Sequence, residues 1–128
     1  MTTVPMLDHI SISVSSVPHS RLFYAAVLES LGYGVVKESA GSVGFGVGKK
    51  PEFGIFAAGG DGSMVAQHIA FAARSRTAVD RWHAAALLAG GRCNGAPGLR
   101  LEYHANYYGA FVIDPDGNNI EAVCHAAP

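Results

Sequence analysis

Apolar and polar positions alternate along this chain in two similar rounds. In Leu7-Asp8-His9-Ile10-Ser11-Ile12-Ser13-Val14, an extended backbone puts Ile10, Ile12 and Val14 on one face and His9, Ser11 and Ser13 on the other. Ala66-Gln67-His68-Ile69-Ala70-Phe71-Ala72-Ala73 repeats the scheme, with Ile69 and Phe71 opposite His68 and Ala70. The pattern predicts strands over about 6–14 and 66–73, each followed by a short polar link and a helix. The first helix opens at Pro18, whose missing N–H costs nothing in a first turn. Phe23, Val27, Ser30 and Leu31 then follow helical spacing, widened by Leu22 and Ala26, up to a stop at Gly32. The second spans about 77–89, with a stripe of Val79, Trp82, His83, Ala86 and Leu87, and closes at Gly90-Gly91.

Between these landmarks the chain offers short strand candidates at 33–37, 43–47 and 53–57, loosened by glycines and by the turn Lys49-Lys50-Pro51. Gly59-Gly60-Asp61-Gly62-Ser63 is a short flexible boundary. Weak strand signals follow at 98–103. A hairpin of 107–113 and 119–124 then surrounds Asp114-Pro115-Asp116-Gly117-Asn118, whose residues preset a turn. A tight register pairs Ile113 with Asn118, Ala110 with Glu121 and Tyr108 with Val123, and so groups Tyr108 with Glu121. A shift of one residue would bring Tyr107 there instead. Each half is β-α-β-β-β. The expectation is an α+β protein, one domain over 1–128 made of repeats at about 1–59 and 64–126. Its two modules would form a curved mixed sheet around a cleft, with the helices outside.

With 49% hydrophobic and 15% charged residues, the chain has the material for an ordinary core. A net charge of −1 argues against a nucleic-acid surface. No apolar run approaches the roughly 20 residues of a membrane span, and the first residues lack the basic and apolar regions of a signal peptide. Cys93 and Cys124 form no C-x-x-C unit and are expected as two buried thiols in a reducing, cytoplasmic setting.

Three residues stand on strand faces opposite the apolar ones: His9, His68 and Glu121. Two imidazoles and a carboxylate can hold a divalent ion with positions left open for water or substrate, and mixed N/O donors suit Zn, Ni, Fe, Mn or Co. A single strand histidine is more often structural; the repeat-related placing of all three is what favours a metal. Beside them, Tyr103-His104-Ala105-Asn106-Tyr107-Tyr108 is a dense polar-aromatic cluster. His104 or Tyr108 is a candidate proton donor, Glu121 a candidate base, and Tyr107 a candidate pocket wall. Arg100 is a candidate clamp for an anionic substrate, against the commoner alternative of a solvated surface arginine. The Gly41–Gly48 stretch lacks a phosphate-loop pattern, and no nucleophile elbow is present.

Asp8-His9-Ile10, Phe23-Tyr24 before Leu31-Gly32-Tyr33, His68-Ile69-Ala70-Phe71 and above all Ala110-Phe111-Val112-Ile113-Asp114-Pro115-Asp116-Gly117-Asn118-Asn119-Ile120-Glu121 carry a resemblance. The chain resembles the vicinal oxygen chelate superfamily, which includes glyoxalase I, bleomycin-resistance proteins, fosfomycin-resistance transferases and extradiol dioxygenases. The resemblance implies paired β-α-β-β-β modules, metal ligands at His9, His68 and Glu121, chelation of two neighbouring substrate oxygens, and a homodimer. Members with four ligands carry another on the last strand of the first unit, where this chain has Glu52-Phe53-Gly54-Ile55-Phe56. The function implied is a divalent-metal-dependent, glyoxalase-like lyase acting on a small vicinal-oxygen molecule. The alternatives are an extradiol-type ring-cleaving dioxygenase and a metal-free, bleomycin-resistance-like drug binder. No nucleic acid or membrane is expected as a partner.

Overall fold

The computed structural model describes residues 4–128. In chain order the elements are β1 (Ile10–Val14), α1 (Val17–Glu29), β2 (Gly34–Ser39), β3 (Ser42–Val47), β4 (Lys50–Ala57), β5 (His68–Ala72), α2 (Arg76–Leu88), β6 (Arg92–Leu99), β7 (Tyr108–Ile113) and β8 (Asn119–Cys124). The protein is α+β, with two four-stranded mixed sheets built from two β-α-β-β-β modules. The strand orders β1-β4-β3-β2 and β5-β8-β7-β6 are the same topology twice. The local chemistry repeats too. Ser16 and Ser75 cap the two helices by accepting from the backbone N–H groups of His19 and Ala78. Gly32 and Gly90 end them at φ 91° and 102°, a conformation other residues reach only under strain.

One core serves both modules. Phe23, Tyr24, Val27 and Leu28 of α1 and Val79, Trp82 and Ala86 of α2 are buried in the same cluster as the inner residues of both sheets. The two helices lie against each other, and Phe53 of β4 meets Phe71 of β5 edge-on at 5.2 Å. Leu22 and Leu87, expected in the helical stripes, lie at its margins and stay exposed. β1 and β5 each end a sheet with a single strand partner, so the two sheets do not merge into one continuous surface within the chain. Among the described residues no helix is long and apolar enough to cross a membrane.

Three expectations are corrected. The strand after α2 covers residues 92–99 rather than 98–103: Gly95, Pro97 and Gly98 mask it, and it tolerates them because it is an edge strand with register shifts. The β7–β8 hairpin pairs Ile113 with Asn119 and Phe111 with Glu121, one residue away from the tight register. Asp114 and Asn118 close the loop through Asp114 N–H donating to the Asn118 carbonyl at 3.0 Å. Pro115, Asp116 and Gly117 therefore make the bend, with Gly117 at φ 90°, as in three-residue hairpin loops. Finally, only Cys124 is a buried thiol. Cys93 is exposed, 3.2 Å from Nε2 of His83, whose pKa burial lowers.

The Asp114 carboxylate is 5% exposed and joins the modules. Its Oδ1 accepts from the backbone N–H groups of Asp116 and Asn118 at 2.9 and 2.8 Å, and its Oδ2 from Nδ2 of Asn118 at 2.8 Å and from the Tyr24 hydroxyl of α1. Asn118 Oδ1 in turn accepts from Gln67 N–H at 2.8 Å, and Asp116 Oδ2 from Ser15 N–H at 3.1 Å. Burial, then the neighbouring Asp114 charge, raises the Tyr24 pKa well above its ordinary 10. The folded state therefore keeps the Tyr24 proton where the unfolded chain releases it. This contribution is whole below pH 10 and shrinks as pH rises beyond it, by about 1.4 kcal/mol per unit. In urea unfolding at pH 10 to 11.5, wild type is expected to lose stability more steeply than Tyr24→Phe; parallel curves would refute the assignment.

Candidate functional site

β5 and β8 run parallel, with His68 beside Asn119 and Ala70 beside Glu121. That stagger brings the His68 and Glu121 side chains together on the face turned away from the core. Nε2 of His68 lies 3.1 Å from Oε1 of Glu121. The Glu121 side chain is 3% exposed and that of His68 49%, so a buried carboxylate meets solvent through an imidazole. Nδ1 of His68 is 2.8 Å from the Asn119 carbonyl oxygen, which can only accept. The ring proton is thereby committed to Nδ1. Nε2 then either carries a second proton, as an imidazolium paired with Glu121, or turns a bare lone pair toward a carboxylate oxygen.

The second state needs a cation, and the spacing suits one. Two ligands about 2.1 Å from one metal sit about 3.0 Å apart at a right angle and about 3.4 Å apart at the tetrahedral angle. The observed 3.1 Å falls between these. The Tyr107 hydroxyl donates to the other oxygen, Oε2 of Glu121. Burial and the Glu121 hydrogen bond push the Tyr107 pKa up, so it remains a donor. An imidazole oriented by a carbonyl and a carboxylate oriented by a phenol are the outer contacts that metal ligands require.

His9 has a matching local environment but a different position. Its Nδ1 lies 2.8 Å from Oδ1 of Asp8, which Nζ of Lys50 also holds at 2.9 Å. Hydrogen bonds from His9 and then Lys50 keep the Asp8 carboxyl below its usual range, so Asp8 is an anion that leaves Nε2 of His9 free. Yet among the described residues no three His, Cys, Asp or Glu side chains gather as a metal cluster. His9 and His68 instead share a cavity of about 480 Å³ between the free edges of β1 and β5, with Glu52, Phe45, Phe53 and Phe71 also in its wall.

The matching register explains why the first module offers no equivalent of Glu121. Ser11 pairs with Gly54 as Ala70 pairs with Glu121. A Cβ on Gly54 would meet the Ser11 hydroxyl at 2.7 Å, so the corresponding position is both bare and filled.

The observed hairpin register exchanges two tyrosines. Tyr107 is at Glu121, whereas Tyr108 faces α2 and donates to Oδ1 of Asp80 at 2.7 Å, with Arg76 over its ring. Tyr108 is therefore displaced as the tyrosine beside the carboxylate. His104 does not touch Glu121 either. Its Nε2 lies 2.7 Å from Nδ1 of His125, and both rings pack around Tyr107. Arg100 lies over Phe111, the β7 residue opposite Glu121. Gly109 is a site residue that sequence reasoning missed. Its bare Cα leaves room for Glu121 Oε2 and the Tyr107 ring, which a Cβ would meet at 3.2 and 3.3 Å. Its place two residues after Tyr107 in a strand was the available signal.

Residues 6–122 match the model of the glyoxalase/bleomycin resistance protein/dioxygenase superfamily, and the chain belongs to that superfamily. A glyoxalase/bleomycin resistance protein from Albidiferax ferrireducens T118 is 30% identical, with 95% of this chain and 100% of that one covered and a TM-score of 0.80. The fold is shared with a glyoxalase/bleomycin resistance protein/dioxygenase family enzyme from Burkholderia phytofirmans PsJN, at 20% identity over 93% and 98% of the two chains and a TM-score of 0.70. It is also shared with a lactoylglutathione lyase from Agrobacterium tumefaciens, at 16% identity over 97% and 96% and a TM-score of 0.68. No curated protein matches the chain in sequence.

Proposed function

We propose that this protein is a divalent-metal-dependent enzyme acting on a small molecule with two neighbouring oxygens, by a glyoxalase-like isomerisation or lysis. The observation that carries the reading is the His68–Glu121 pair: an oriented nitrogen and an oriented oxygen 3.1 Å apart. His68 and Glu121 are two ligands and His9 the third; the ion is Zn, Ni, Fe, Mn or Co. When bound, it supplies a Lewis acid for adjacent oxygens, stabilising the negative charge that develops on them. Glu121 is the base that accepts a substrate proton. Tyr107, hydrogen-bonded to its far oxygen, holds the carboxylate in place and keeps a proton within reach of the same centre.

The third ligand is supplied by a second copy of the chain. β1 and β5 are both unpaired edges, and such edges are covered in stable proteins. A two-fold axis pairs β1 of each protomer with β5 of the other, satisfying both edges at once. Each site then takes His9 from one protomer and His68 and Glu121 from its partner. Complementation tests this. His9→Ala and His68→Ala are each expected to lose tight zinc binding. Unfolded and refolded together, they recover about one site in four, because half of a random mixture is heterodimer and each heterodimer has one intact site. No recovery, with both variants dimeric, overturns the shared site. Full ligand binding by metal-free protein, unchanged in both variants, overturns the metal reading in favour of a drug-binding protein.

A further inference from the structure

We propose, resting on that reading of the site, that its substrate also carries a carboxylate, bound by Arg100 while the neighbouring oxygens meet the His68–Glu121 pair. Three observations converge on this arginine. First, its guanidinium carbon lies 5.5 Å from the Phe111 ring. The His68 ring stacks on that same phenylalanine at 6.3 Å with 25° between the planes. Guanidinium and imidazole thus both lie against one aromatic ring, and the gap between them is at most those two distances laid end to end. A single substituted ring or a short-chain acid spans it.

Second, β6 is bare beside the guanidinium. A side chain at Gly95 would come 3.2 Å from its Nη2, and one at Gly98 3.1 Å from its Nη1. These glycines let the planar fork lie close against the backbone of β6, the strand that Arg100 follows. The backbone fixes where the side chain starts, since Arg100 N–H donates to the Tyr107 carbonyl at 2.7 Å.

Third, the fork is under-used. Among the described residues its one hydrogen bond runs from Nη2 to the Ala96 carbonyl at 2.7 Å. Among the described residues no carboxylate lies within ion-pair distance of it. Arg21, by contrast, is held by both oxygens of Glu38. A half-buried guanidinium with free donors, stacked on an aromatic ring beside a metal-ligand pair, is suited to bidentate recognition of a carboxylate. Its positive charge also offsets the repulsion that Glu121 would exert on an anionic substrate.

The experiment compares 3,4-dihydroxybenzoate with its neutral amide, 3,4-dihydroxybenzamide, by calorimetry. Both are titrated into wild type and Arg100→Met, which keeps an apolar stem over Phe111, with and without zinc. Wild type is expected to bind the acid about tenfold or more tightly than the amide. In Arg100→Met that preference falls below about threefold with amide affinity unchanged. Equal affinities in wild type, or a preference that survives in Arg100→Met, overturn the proposal. The parent reading fails separately. If zinc affects neither ligand while the acid preference remains and depends on Arg100, the metal reading falls and the carboxylate site stands.

Discussion

Glu121→Gln is expected to weaken zinc binding by at least about a hundredfold while leaving the metal-free protein as stable as wild type, or more so. The two effects separate because the substitution keeps shape and removes charge. Glu121 is 2% exposed, and a buried carboxylate without a fixed cation is costly. Glutamine fills the same volume. Its carbonyl accepts from the Tyr107 hydroxyl as Oε2 does, and its amide N–H can donate to Nε2 of His68, now 3.1 Å from Oε1. The apo pocket is then hydrogen-bonded and uncharged. For the metal the exchange is unfavourable, since an anionic ligand is lost and the nitrogen presented to His68 has no lone pair to give. Tyr107→Phe, which removes only the orienting donor, is expected to cost about tenfold. Calorimetry with zinc gives both numbers, and thermal melts add a second readout: zinc raises the Tm of wild type and not that of Glu121→Gln. Wild-type zinc affinity in Glu121→Gln would move the centre away from β8.

The repeat was the most legible feature of the sequence, for a physical reason. A strand with one buried face must alternate, and a helix that stops at a glycine shows that stop in the sequence, so each module announced itself locally. What involves more than one element was harder to see. The hairpin register could not be fixed by pattern, because β7 is apolar on both faces: Ala110 and Val112 point to the core while Phe111 and Ile113 point away. Alternation therefore did not choose between Tyr107 and Tyr108, and the backbone bond closing Asp114 to Asn118 did. β6 was obscured by the glycines and proline that an edge strand can carry. His68 and Glu121 were legible only as residues on faces opposite the apolar ones; the parallel pairing of β5 with β8 that staggers them into contact was not written in the pattern. The place of His9 was not legible, because side-chain pattern within one strand is silent about how the two modules set β1 relative to β5.

The other large effect is expected far from the metal ligands, at the motif that most strongly carried the resemblance. Asp114-Pro115-Asp116-Gly117-Asn118 contributes no ligand; it joins the two modules. Asp114→Ala removes the acceptor of four hydrogen bonds at a site only 5% exposed. It leaves the Tyr24 hydroxyl and Asn118 Nδ2 as buried donors with nothing to meet. Unmet buried donors cost about 1–3 kcal/mol each, so a loss of about 3–5 kcal/mol is expected, a large part of the 5–15 kcal/mol typical of a domain. Tyr24→Phe removes one of those donors together with its bond and should cost no more than about 2 kcal/mol. In the double variant the Tyr24 hydroxyl is no longer left unmet, so the two losses should combine to less than their sum. Urea unfolding of the four proteins measures this coupling. The consequence reaches the site through Asn118, whose Oδ1 holds the Gln67 N–H immediately before His68. Asp114→Ala is therefore expected to reduce zinc affinity as well as stability, although Asp114 touches neither ligand. If stability falls and zinc affinity in the remaining folded protein does not, the loop supports the fold without setting the stagger of β5 on β8.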